Sequence, residues 1–171
     1  MKFNILRKSM ATLFVLAFMV LLTGCPYSSS VPIDEGTAKV PSGLEGKWLT
    51  TGDEENKNPT YFTISKDDKF HATATKMEYS TSDSTYNQTI YHLTFSDVGN
   101  EIFMNALAEG ETNYNLYKFV FDEKNGQIST SEVTDYIKET FSTSKELKEF
   151  ILKNKSNSYF FTNTTDTYVR K

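Results

Sequence analysis

Between residues 44 and 130 the apolar side chains recur at every second position, in short runs separated by polar turns. A period of two is the pattern of a half-buried β-strand, whose successive side chains point to opposite faces. Phe62 and Ile64 share one face. Phe70, Ala72 and Ala74 alternate with His71, Thr73 and Thr75, and Tyr91, Leu93 and Phe95 alternate with Ile90, His92 and Thr94. The pattern predicts strands over 46–51, 60–66, 69–77, 89–95, 101–107, 114–121 and 127–130. Asp67-Asp68, Gly110 and Asn125-Gly126 supply turn chemistry between them, the last being the strongest hairpin signal in the chain. Residues 78–88, rich in Ser, Thr, Asp and Asn, read as a polar loop or a frayed hairpin.

The pattern changes after Ser131. Thr143-Ser144-Lys145-Glu146 has the form of a capping box, and Leu147, Phe150 and Ile151 follow at helical spacing, so a surface helix is expected to end near Asn154. A shorter helix is expected over 133–140, and 165–170 is a last extended piece. Seven or eight short antiparallel strands with one or two short helices near the C-terminus make a mainly β domain over 44–171. A closed barrel or a sandwich protects the strand edges of such a chain.

Composition narrows the function classes. With 38% hydrophobic and 23% charged residues the chain is neither a disordered polar polymer nor a multi-span membrane protein. Residues 1–24 read as a signal peptide: Lys2, Arg7 and Lys8 precede an apolar run from Ala11 to Leu22 that is too short to span a bilayer comfortably. Removing these three cations leaves 15 of the 18 Lys and Arg against 22 Asp and Glu. That acidic balance disfavours nucleic acid, whose binding rests on neutralising phosphates.

The segment ends Leu22-Thr23-Gly24-Cys25, which resembles the lipobox of bacterial lipoproteins. The resemblance implies that Cys25 receives a diacylglyceryl group, that cleavage occurs just before it, and that the new amine is acylated, for example with palmitate. It places the protein on a membrane of the cell envelope. Pro26 stands where some lipoproteins carry an inner-membrane Asp, so the same family logic favours the outer membrane in a cell that has one. The competing reading is an ordinary secretory signal. Cys25 is the only cysteine, which excludes an intramolecular disulfide. Residues 25–43 hold three of the four prolines and no sustained periodicity, and read as the lipidated Cys and a flexible tether. Eighteen flexible residues span about 23 Å.

Two ends of the domain resemble lipocalins and related calycins. Gly46-Lys47-Trp48 matches their Gly-x-Trp motif on the first strand, and Arg170 stands where that family sets an Arg over the Trp. The resemblance implies a calycin-like antiparallel barrel closed at one end by Gly46, Trp48 and Arg170. Thr134-Asp135-Tyr136 matches a second short motif of the family, but it follows the seventh strand. The expected helix also precedes the last strand, where lipocalins place their main helix after the eighth.

Catalytic signatures are sparse. His71 and His92, with Glu78 or Asp83, lack the close ligand spacing of a zinc site, and there is no Gly-x-Ser-x-Gly elbow, His-Glu-x-x-His or phosphate-binding Gly loop. No catalytic residue, metal or cofactor is assigned. The aromatic residues Tyr91, Phe103, Tyr114, Tyr117, Phe119 and Phe121 either line a cavity for a small apolar or amphipathic ligand or fill a solid core. A solid barrel would instead serve as an interaction module for another envelope protein, as an inhibitor or an assembly factor. A cavity above about 300 Å³ separates the two.

Overall fold

The computed structural model describes residues 26–171; the signal segment and Cys25 lie outside the described residues. The chain forms β1 (Ser28–Ser29), β2 (Gly46–Thr50), β3 (Tyr61–Lys66), β4 (His71–Ser80), β5 (Thr85–Asp97), β6 (Ile102–Ala108), β7 (Tyr114–Asp122) and β8 (Gln127–Val133). Helix α1 (Ser144–Asn154) and β9 (Phe161–Arg170) complete it. From β2 to β9 each strand pairs antiparallel with the next, and β9 returns to β2, closing an eight-stranded barrel. Closure gives every ladder a partner on both sides, which removes the exposed edges of an open sheet.

The turns follow local chemistry. Asp68 Oδ1 accepts from the backbone amides of Phe70 and His71 at 2.7 and 3.0 Å, tightening the β3–β4 turn. Asp122 does the same for Asn125 before Gly126 takes φ +59°. Thr143 and Glu146 form the expected capping box, and α1 buries Leu147 and Ile151.

Of the two readings of residues 78–88, loop or frayed hairpin, the hairpin is the one that forms: β4 and β5 continue as one ladder through Tyr79↔Tyr86 to Ser80↔Thr85. Ring pairing at the tip holds it together, Tyr86 lying 5.3 Å from Tyr79 and 5.7 Å from Tyr61 between centroids. The helix expected over 133–140 does not form. Val133 still belongs to β8, and Thr134 pairs with Pro26 and donates its N–H to Phe160 O at 3.0 Å, so these backbone groups are taken by partners remote in sequence.

A second correction concerns residues 26–43, which form no free tether. They run as a strap that starts on the outside of the barrel at Tyr27 and Ile33 and ends with Ala38 and Val40 in the inner core beside Leu44 and Trp48: Tyr27 N donates to Val133 O, Ile33 N to Asn105 Oδ1, Thr37 and Ala38 N to Phe95 O, and Val40 N to Lys69 O, all at 2.8–3.0 Å. Ile33 is fully buried. Prolines suit this extended path, since a strap crossing strands needs few backbone donors. Gly36, at φ +107°, passes so close to Phe70 that a Cβ there would meet Phe70 Cβ at 2.6 Å.

The strap explains why the molecule has two cores. Inside the barrel lie Trp48, Ile64, Leu93, Phe95, Phe119 and Ile128. Outside it, Ile33 of the strap and Leu147 and Ile151 of α1 cover Phe103 and Leu116 of β6 and β7. Asn105, also fully buried on that outer wall, accepts from Ile33 and donates to Thr94 O and Ser96 Oγ, both at 3.1 Å. Asp34 ties the strap to the helix through Lys148 Nζ at 2.5 Å. Burial alone would raise its carboxyl pKa, but bonds from Lys148, Ser96, Thr37 and Gly36 outweigh that and hold it below the ordinary value.

Candidate functional site

One end of the barrel is plugged. Trp48 is fully buried, its Nε1 donates to Leu44 O at 2.8 Å, and Phe121 meets its ring edge-on at 6.0 Å. Trp48 and Arg170 are direct partners across β2 and β9, which brings the guanidinium carbon to 4.8 Å from the indole centroid. Such a stack satisfies the ring face and keeps the charge at the barrel's end. Gly46 is required for its φ of +135°; nothing lies within 4 Å of where its Cβ would be, so close approach is not its purpose.

Above Trp48 lies a cavity of about 460 Å³. An eight-stranded barrel is ordinarily just wide enough to be filled by its own side chains. Here the inward positions of β4 and β6 include Ala74 and Ala106, which leave the room that larger residues would take. Leu44 and Trp48 form the floor, and Phe62, Leu93, Phe95, Met104 and Phe119 give apolar walls.

Polar groups gather toward the other end: Asp53 of the β2–β3 loop, Lys76, Glu132 and Asp166, with the hydroxyls of Tyr117 and Tyr168 between them and the walls. Asp166 is exposed although it lines the cavity, so the interior opens to solvent there. Burial raises the Glu132 carboxyl above its ordinary value, and the neighbouring Asp166 adds to the rise. Burial likewise pushes the Tyr168 phenol up to about 12 and the Tyr117 phenol higher still, with Glu132 beside it adding to the shift. Both tyrosines are therefore neutral hydrogen-bond donors at any physiological pH. The Lys76 ammonium is held at 2.9 Å by Glu78, leaving the rim mainly acidic.

Of the six aromatic residues expected at a binding site, Tyr91, Tyr117 and Phe119 line the cavity. Phe121 does not; it packs beneath, against Trp48. Phe103 and Tyr114 belong to the outer core instead, because they sit at positions of opposite parity to Met104 on β6 and Tyr117 on β7. Sequence reasoning missed Glu132, Asp166 and Tyr168, although their two-residue spacing with Thr130 or Arg170 carried the signal. His71 Nδ1 contacts Asp68 Oδ2 at 2.8 Å, and His92 stands opposite Thr73. Among the described residues no group of three or more His, Cys, Asp or Glu is placed to hold a metal ion. Comparison with models of protein families, with curated proteins and with solved structures finds no match.

Proposed function

We propose that this chain is a non-catalytic lipoprotein of the cell envelope, anchored by acyl chains on Cys25, whose lipocalin-like barrel holds a small amphipathic ligand. The observation that carries the binding reading is the 460 Å³ cavity, apolar over most of its depth and ringed by carboxylates and phenols at its open end. A ligand's apolar part would lie toward Trp48, where it removes hydrocarbon from water at about 25 cal/mol per Å². Its polar head would meet Tyr117, Tyr168, Glu132 and Asp166. A head that donates hydrogen bonds or carries positive charge suits that rim better than an anion. The Trp48–Arg170 stack supports the lipocalin-like reading, since it sets one closed end against one open end.

Lipidation rests on the Leu22-Thr23-Gly24-Cys25 sequence, and outer-membrane placement on Pro26. Two or more acyl chains hold a protein stably on a bilayer. Cys25→Ser is expected to accumulate uncleaved precursor without labelled fatty acid; mature, lipid-labelled protein from that variant would refute the anchor.

The binding reading is tested by native mass spectrometry of the protein purified from its producing cell, with organic extraction of co-purifying molecules. A stoichiometric amphiphile is expected. A clean apo mass, unchanged after exposure to a lipid mixture, would overturn the reading and favour the protein-binding module.

A further inference from the structure

We infer that the open end of the barrel faces the lipid bilayer, with the surface around Pro26, Tyr136 and Tyr159 resting among the headgroups. The inference rests on acylation of Cys25, and adds to it the orientation of the cavity.

Its first support is the absence of slack. Pro26 bridges Thr134, Tyr27 N donates to Val133 O at 3.0 Å, and the buried Tyr27 ring sends its hydroxyl to Glu139 O at 3.0 Å. Cys25 is the next residue, about 3.8 Å away along the chain. A free tether of 18 residues would let the domain turn any face to the membrane, whereas a strap zipped to the barrel fixes which face is nearest.

The second support is where that entry point lies. Gln127 opens β8 opposite Val169, beside Arg170 and the plugged end, whereas Val133 closes β8 opposite Phe161. Glu132, on the cavity's acidic rim, precedes Val133 directly. The chain therefore enters the fold at the open end.

The third support is the surface there. Tyr136 is 65% exposed and Tyr159 57% exposed. Tyr136 lies two residues beyond Thr134, and Tyr159 adjoins Phe160, whose carbonyl accepts the Thr134 N–H. The two rings line one recess with Ile137 and Phe160, next to the Thr134 backbone that Pro26 bridges. Lys138 extends into solvent beside them, with Asp135 at 3.9 Å, and Glu139 is exposed too, so these three groups carry a net charge of only −1. Two exposed amphipathic rings suit the headgroup layer, where Tyr is enriched. An opening held there lets an amphiphile pass between bilayer and cavity without crossing bulk water.

The test uses full-length acylated protein reconstituted in phosphatidylethanolamine–phosphatidylglycerol vesicles that contain nitroxide-labelled lipid. Because Cys25 is the sole cysteine and is blocked by its acyl group, a fluorophore can be placed singly by Tyr136→Cys, Tyr159→Cys or, in the exposed hairpin of the plugged end, Asn125→Cys. The seven residues of β8 put roughly 20 Å between the two ends. The expected result is loss of fluorescence at 136 and 159 and none at 125. Quenching at 125 equal to or above that at the tyrosine positions would overturn the orientation alone. Three unquenched labels would overturn it in favour of a protein partner for the patch. A mass lacking the diacylglyceryl group would bring down the anchor reading, and the orientation with it.

Discussion

Ile33→Ala separates a packed strap from a free tether, and its cost follows from the structure. Ile33 has no solvent exposure and lies in one cluster with Phe103, Leu116, Leu147 and Ile151. Truncating a buried Ile to Ala loses its transfer free energy and leaves a cavity, together about 2–5 kcal/mol. The backbone bond to Asn105 survives the change, so the loss comes from packing alone. At about 3 °C per kcal/mol for a domain of this size, the midpoint should fall by roughly 6–15 °C. Thermal and urea melts of the chain from Pro26 onward, followed by circular dichroism, read this directly. Ser30→Ala, at an exposed position of the same strap, should stay within about 0.5 kcal/mol of the parent. If Ile33→Ala melted as Ser30→Ala does, the strap would contribute nothing to the folded state, and the argument for a fixed entry point would fail with it.

Three further outcomes follow from the site. Arg170→Ala removes the stack over Trp48 and should cost about 0.5–2 kcal/mol; because Trp48 is the only Trp, its emission should also move to the red, and an unchanged spectrum would show that the guanidinium does not shield the plug. Ala106→Phe puts a ring into the cavity and should abolish binding of a fluorescent amphiphile at a stability cost of about 1–3 kcal/mol, whereas full affinity in a folded variant would place the ligand elsewhere. For Glu132, burial raises the folded-state pKa, so the ionised carboxylate penalises folding above that value and the penalty is relieved as pH falls through it. Binding of an amine-headed probe should accordingly weaken as pH drops through a point above 4.5, the carboxyl's ordinary value, and Glu132→Gln should flatten that profile; a parallel profile in the variant would remove Glu132 from the site.

Much of the fold was legible because its signals are local. Alternation at Phe62, Ile64, Ala72, Ala74, Tyr91, Leu93 and Phe95 marks strands whatever they pair with, and Asn125-Gly126 and Thr143-Ser144-Lys145-Glu146 carry their turn and cap in a few residues. The candidate site was half legible. Period two sorts side chains into two faces without saying which face is inside, and on β6 and β7 both faces are apolar because the strap and α1 cover the outer one. Phe103 and Tyr114 could therefore not be told from Met104 and Tyr117 without the pairing. The strap left no periodic trace, since its bonds to Asn105, Phe95 and Lys69 are single contacts made at irregular intervals.

By itself, then, the order of residues determined a meander of short antiparallel strands, the hairpins between them and one capped helix. These depend on backbone propensity and on spacing within a strand or a turn. Tertiary structure alone decided that β9 closes onto β2, that Ala74 and Ala106 face the same empty volume, and that residues 26–43 pack against the barrel rather than lie in solvent. Each of those outcomes depends on which atoms from distant parts of the chain fill the same space, and close packing is a property of volumes that no run of neighbouring residues contains.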